Sequence, residues 1–471
     1  MADLIDKDSD DRPVKIWADP SGRLYLRNKT GWSKIPDRQA LRVLREKGFS
    51  TKPEIPGSNS AADSFLAEVS ERYVADYIGP LAGFNEGVYS LGDKRVLVTC
   101  SPQYIEPKNS DWAALRAFLD LLFANPIHLQ IFFTWLKCGL ESLNGGFPWR
   151  PQQAMAFCGP KGSGKSLLQN VIITKCFGGR SAQVFSILSE RTAFNLKMFW
   201  AEHLMIEDDV SSSDIRSRRK LGAMIKNIVS NEWREMHGKF KTAIDLCPFN
   251  LLTITLNDGA DDLTVLPPLD ESIAEKLIIL RTGTGLRDTD LSDLTTRRNF
   301  VDSLQNGLPG FLYFLLNEFV VPEELRDPRY GIKAYHDPNI LNALEVLDPK
   351  AMLIEMLEAT PEVAAAPDKQ WTTTELLKEL ECEHPGQARR LFKGSASLGK
   401  LLMRLASDSR HPGRVHSPRK GQWRINTCPS GENATVSIPA PVQPREAPPV
   451  LAPPMAANTT GDSDLDWEVG E

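Results

Sequence analysis

At 471 residues the chain is long enough for two to four domains, and 41% hydrophobic with 25% charged residues is ordinary globular composition. The most apolar window, Phe118 to Leu140, is interrupted by Asp120, His128, Gln130 and Lys137, which argues against a membrane span there, and from the polar N-terminus no signal peptide is expected. A formal charge of −6 excludes a general attraction to polyanions and leaves any nucleic-acid contact to local basic patches.

Residues 1–14 are charged and are expected to fray. Val14 to Trp17 and Arg23 to Arg27 flank the turn Asp19-Pro20-Ser21-Gly22 and predict a hairpin, and Asp37 to Gly48 predicts an amphipathic helix closed by glycine. With the Pro/Ser/Gly/Asn linker at 51–62, this makes a small module over residues 1–62. Residues 63–150 pass from short strands, of which Arg95 to Cys100 is the clearest, into helices between Ser110 and Leu143. Their apolar residues recur at three- and four-residue spacing, as in a packed helical layer, and predict a helical collar.

Over 151–320 the chemistry becomes specific. Gly159-Pro160-Lys161-Gly162-Ser163-Gly164-Lys165-Ser166 follows the apolar run Gln153 to Cys158 and opens a helical pattern. Strand, glycine loop and helix in this order make a phosphate-binding loop of an α/β P-loop NTPase. Its backbone N–H groups face the β-phosphate, Lys165 reaches the β and γ oxygens, and the Ser166 hydroxyl ligates Mg²⁺. Glu202 to Asp209 is an apolar strand ending in acids. One carboxylate would hold the Mg²⁺ shell and another would orient the attacking water. Asp208 as the metal-side acid with Asp209 on the water is the favoured register, and Glu207 with Asp208 is the other. Phe249 to Asn257 is a further strand, ending in an amide that can both donate to and accept from a water at the γ-phosphate. Between these strands His237-Gly238-Lys239-Phe240-Lys241 forms a basic turn, whose lysines could follow single-strand phosphates while Phe240 abuts a base or sugar.

Residues 321–349 read as a helical connection. Residues 350–427 read as helices followed by a hairpin, a winged-helix-like pattern. From Gly386 to Arg424 there are ten Lys/Arg against one acid, Asp408, a local charge of +9 that suits a nucleic-acid face, with Arg410, Arg414, Arg419 and Lys420 on the wing. The tail 428–471 holds eight prolines by residue 454 and is expected to be disordered. Its acidic tip, with Leu465 and Trp467, could be a peptide ligand for a separate primase or another replication protein, or a solubilising tail.

Together the phosphate loop, the acidic strand 43 positions after Lys165, the basic hairpin and the Asn-terminated strand 18 positions after Lys239 resemble the superfamily 3 helicases, particularly the helicase part of phage- and plasmid-type primase-helicase proteins. Thr192-Ala193-Phe194-Asn195 and Leu266-Pro267-Pro268-Leu269 carry the same likeness. The resemblance implies the AAA+ variant of the P-loop fold, a homo-hexameric ring hydrolysing ATP with Mg²⁺, and a pore hairpin bearing Lys239 and Lys241. It also implies action on single-stranded and origin DNA in the cytoplasm of a bacterial cell, host or phage-infected. The trans-acting finger expected shortly after the Asn stays open, with Lys276 at the expected place and Arg281 the nearest arginine. No spaced acidic pairs of a polymerase precede the loop, so primase activity is not expected. The rival reading keeps the ATPase but drops unwinding, leaving a DNA-bound switch or helicase loader.

Overall fold

The computed structural model describes residues 2–6, 12–144, 151–188, 192, 194–207, 215–238, 242–287, 289–346, 349–407, 413–419 and 421–426. The chain forms two compact units, one through Met352 and one from Leu353 onward.

The first unit begins with strand β1 (Ala2–Asp6), then β2 (Ile16–Ala18), β3 (Leu24–Asn28), β4 (Gly31–Ile35) and helices α1 (Asp37–Glu46) and α2 (Ala61–Arg72). Strands β2, β3 and β4 form an antiparallel meander rather than a lone hairpin. Helix α2 starts inside the expected linker, where Ser60 and Asp63 form a reciprocal capping box that the run Ser58-Asn59-Ser60 conceals. Strands β5 (Tyr77–Gly79), β6 (Gly87–Leu91) and β7 (Lys94–Val98) make a second sheet in the order β1-β6-β7-β5. The expectation of a frayed start is therefore corrected for Ala2–Asp6, which pairs antiparallel with β6 as an edge strand. An edge strand needs only one partner, so a short run bearing Asp3 and Asp6 can serve.

Helices α3 (Ala113–Leu122) and α4 (Pro126–Asn144) follow. From Leu129 to Leu140 α4 is buried on nearly every side, which explains its weak amphipathic signal. Leu115, Phe118, Leu119, Phe132 and Leu136 share one apolar core with Met155 and Phe157 of the strand before the phosphate loop. The helices expected as a separate collar thus pack on the sheet that carries the loop.

That sheet is wholly parallel. It comprises β8 (Ala154–Cys158), β9 (Ser181–Gln183), β10 (His203–Ile206), β13 (Leu251–Leu256) and β14 (Leu277–Arg281), in the order β14-β8-β13-β10-β9. Strands β8, β10 and β13 are buried throughout, as a parallel sheet covered on both faces requires. Helix α5, residues 165–176, runs from the phosphate loop and is wound as a π-helix over Leu168–Ile173. Strand β9 is followed by a helical turn at Phe185–Leu188. Helix α6 (Leu196–Trp200) leads into β10, and α7 (Ile215–Ser230) leads to an antiparallel ribbon of β11 (Arg234–Met236) and β12 (Ile244–Leu246). Helix α8 (Leu294–Asn306) packs on the π-wound part of α5 and on α3.

The second unit holds α9 (Pro349–Ala359), β15 (Gln370–Thr372), α10 (Thr373–Glu383), α11 (Pro385–Leu391), α12 (Ser395–Ala406), β16 (Val415–Arg419) and β17 (Gln422–Ile425). Its antiparallel sheet has the order β15-β17-β16, and Trp371, Trp423, Leu376, Leu398 and Leu402 fill its core. Among the described residues no helix is long and apolar enough to cross a membrane.

Candidate nucleotide and nucleic-acid site

The phosphate loop leaves the C-terminal end of β8, which lies between β14 and β13. Gly162 and Gly164 take φ of 80° and 103°, a region closed to most side chains, so the loop can turn its backbone inward. Gly159 is required for closeness instead, since a Cβ there would lie 2.0 Å from Thr282 Oγ1. Lys165 is 3% exposed, and its Nζ donates to the carbonyls of Gly159 at 2.9 Å and Pro160 at 2.8 Å. It also reaches Asn257 Oδ1 at 3.4 Å. The amide at the end of β13 is thereby placed at the head of the phosphate loop. Ser163 Oγ is buried and finds no partner among the described residues, while the Ser166 hydroxyl sits on the exposed side of the loop. A glycine loop that holds an ammonium and an unsatisfied buried hydroxyl fits a polyphosphate.

Strand β10 runs beside β13 with Ile206 level with Ile254, so its acidic end emerges next to the Asn257 end. Glu207 is half-buried and its Oε1 accepts from Asn170 Nδ2 of α5 at 3.2 Å, and Asn170 also donates to the carbonyl of Ser166 at 3.0 Å. Asp208 and Asp209 lie outside the described residues, as do Lys239, Phe240, Lys241, Arg410 and Lys420. The ribbon expected to bear the basic turn is present as β11 and β12.

The two finger candidates stand at opposite ends of β14. Lys276 precedes the strand, is 8% exposed, and spends its ammonium on the Ser272 carbonyl at 3.0 Å and the Glu275 carboxylate. Arg281 ends the strand level with Cys158, and its side chain is exposed. Its carbonyl accepts from or faces His128 Nδ1 at 3.0 Å, and His128 in turn lies 3.3 Å from Asp337. Burial pushes the His128 pKa down even beside that carboxylate.

Sequence reasoning missed the segment after Arg281. Thr282 N–H donates to the Cys158 carbonyl at 2.7 Å, Leu286 N–H donates to the Ser163 carbonyl at 3.1 Å, and a Cβ on Gly285 would lie 2.0 Å from that same oxygen. This turn braces the phosphate loop from a distance of some 120 residues along the chain, and the run Thr282-Gly283-Thr284-Gly285 is its sequence signal.

Sequence reasoning also missed a polar ring joining α5 to the sheet. Gln169 Nε2 donates to Thr253 Oγ1 at 2.8 Å, which lies 2.7 Å from His203 Nε2. His203 Nδ1 lies 2.7 Å from Thr174 Oγ1, which donates to the Gln169 carbonyl at 2.9 Å. Every proton finds an acceptor if His203 is neutral with its proton on Nδ1. Full burial agrees, pulling its pKa down to about 3.

In the second unit Arg414 is bonded to the Glu358 carboxylate and Arg419 is exposed. The outward side of α12 carries Lys400, Met403 and Arg404.

A family model described as a family of unknown function, DUF5906, matches residues 157–265, the stretch from the phosphate loop past Asn257. No curated protein matches the chain. Two solved structures of the NrS-1 C-terminal region are similar. One, the A form, aligns over 87% of this chain and 95% of that one at 13% identity and a TM-score of 0.51. The other, spanning its residues 305–718, aligns over 88% and 95% at 15% identity and a TM-score of 0.51. A structure of JCV helicase with a bound acetamide compound aligns over 52% and 63% at 18% identity and a TM-score of 0.31, too loose a likeness to bear on function. The chain therefore shares with the NrS-1 C-terminal region a mixed α/β fold, built here on a parallel sheet of P-loop type.

Proposed function

We propose that the chain is an ATP-hydrolysing DNA helicase, a superfamily 3-like ring motor of the AAA+ type acting in replication initiation of a phage, plasmid or integrated mobile element. The observation that carries this reading is the meeting of Lys165 with Asn257 at 3.4 Å, beside a strand that Glu207 directly follows. Three neighbouring strands bring a cation, an amide and the Glu207 carboxylate to one edge, an arrangement that supports attack of water on a terminal phosphate.

In this reading residues 159–166 hold the phosphates, and Lys165 exchanges the Gly159 and Pro160 carbonyls for β and γ oxygens. Ser166 and Asp208 would hold Mg²⁺, which neutralises phosphate charge. Asp209 and Asn257 orient the water, with Glu207 and Asp208 the other register of the acids. The water oxygen bonds to the γ-phosphorus as the bond to the bridging oxygen breaks, giving ADP and phosphate. Between Lys276 and Arg281 we take Arg281 as the finger of a homo-hexamer, because the Lys276 ammonium is already held by Glu275 and Ser272.

Lys239, Phe240 and Lys241 grip one DNA strand. The order α9, β15, α10, α11, α12, β16, β17 supports a winged helix over 350–427 that binds origin duplex. The tail tip is assigned to a replication partner.

The test is ATP hydrolysis with and without single-stranded DNA. Wild type should be stimulated, Lys165→Ala should lose at least about a hundredfold in rate, and Lys239→Ala/Lys241→Ala should lose the stimulation. Hydrolysis indifferent to DNA in the wild type would overturn the motor and leave a DNA-bound switch.

A further inference from the structure

We infer that Asn195 is a positioning residue that ties the β11/β12 ribbon to the acid strand, so that DNA at the ribbon changes the rate of ATP hydrolysis. The inference rests on the reading of the ribbon as the DNA-gripping element and adds the part that couples it to the nucleotide.

Asn195 stands at the N-cap of α6, where asparagine ordinarily turns its side-chain oxygen onto the first turn's N–H groups. Here the side chain makes no cap. Its Oδ1 instead accepts from His237 N–H at 2.7 Å, and its Nδ2 donates to the Glu235 carbonyl at 2.9 Å. The Asn195 N–H adds a third bond, to the His237 carbonyl at 3.2 Å. Glu235 and His237 are two residues apart, so these are outward-facing groups of one strand, and the amide takes the place of a neighbouring strand's peptide group. A two-stranded ribbon is marginal by itself, so an added edge partner matters to its position.

The other end of the connection reaches the nucleotide. Asn195 opens α6, and two residues after α6 the chain enters β10, which Glu207 directly follows. The base of the ribbon is fastened to the same segment. Buried Arg234 bonds to Asn250 and to the Pro248 carbonyl at 3.2 Å, and Asn250 Nδ2 donates to the carbonyls of Met198 at 2.9 Å and Ala201 at 2.6 Å. Asn250 directly precedes β13, whose far end presents Asn257 to Lys165. Both strands that end at the nucleotide are thus fastened to the ribbon at their beginnings. Capping α6 would be served by serine or aspartate equally well, whereas clamping one N–H and one C=O of a strand requires the amide's paired acceptor and donor.

The experiment compares full-length wild type, Asn195→Ala, Asn195→Asp and Lys239→Ala/Lys241→Ala, using oligo-dT as the DNA. Three quantities are read: kcat and KM for ATP without DNA, the stimulated rate, and trypsin cleavage after Lys239 and Lys241. Asn195→Ala should keep basal kcat and KM within about twofold while stimulation falls to the level of the double-lysine variant. Cleavage at the two lysines should rise about tenfold, as loss of two hydrogen bonds allows. Asn195→Asp keeps the acceptor for His237 N–H and loses the donor, so it should retain part of the stimulation. It also makes the comparison should the alanine variant not fold. Wild-type stimulation in both Asn195 variants overturns the inference alone, and so does a fall in basal kcat as large as the fall in the stimulated rate. A wild type that ignores DNA, or a double-lysine variant that responds like wild type, removes the DNA-gripping reading and the inference with it.

Discussion

Lys165 was legible from its neighbours because the phosphate loop is contiguous, and glycines four and six residues into a strand-to-helix turn have few other uses. Its meeting with Asn257 needed the sheet order, which brings residues 92 positions apart within 3.4 Å. Gly285 shows the same limit more sharply. It has φ of 55° and leaves no room for a Cβ against the Ser163 carbonyl, whereas Gly162 has φ of 80° and open space around it. Alanine at either position carries a left-handed backbone cost of about 1–2 kcal/mol. Gly285→Ala must in addition push its turn off the phosphate loop. Nucleotide titration of the two variants should therefore show ATP affinity weakened at least about tenfold more in Gly285→Ala than in Gly162→Ala. Equal affinities would mean that the turn does not shape the loop.

Among the elements, helix α5 is the one whose form was least legible. Leu167 to Ile173 reads as a plain helix, yet Leu168–Ile173 is a π-wound stretch that carries Gln169 at its start and Thr174 just beyond its end, both bonded into the ring with His203. Such rings arise from packing across three elements, which no local spacing encodes. Because the folded pKa of His203 is about 3 against 6.5 for an ordinary histidine, the unfolded chain takes up a proton below about pH 6.5 that the folded chain refuses. Stability is therefore lost as pH falls from about 6.5 toward 3. Between pH 6.5 and 5 this one group removes about 1.5 kcal/mol. Urea unfolding of His203→Gln, which keeps one donor and one acceptor, should show a shallower decline over that interval than wild type by about this amount. Parallel curves would show that His203 takes up its proton as readily in the fold as in the unfolded chain. The acid strand and the Asn-terminated strand, by contrast, were legible as elements because their apolar runs end abruptly in polar groups.

At the scale of the whole molecule, the α/β class followed from strand, loop and helix in order, while the partition of the helices did not. Residues 110–143 look like a layer of their own because α4 is apolar all round, but that same property buries them in the core of the sheet. The basic stretch 386–424 and the tip around Trp467 were legible as charge patterns. What unites the molecule in this account is a motor in which hydrolysis at the Lys165 and Asn257 edge drives a ribbon along a strand. Strand displacement from a forked duplex tests this most directly, with purified protein, ATP and no other replication component. The account predicts displacement that requires hydrolysable ATP and is abolished in Lys165→Ala. Robust DNA-stimulated hydrolysis with no displacement on forks of either polarity would contradict it.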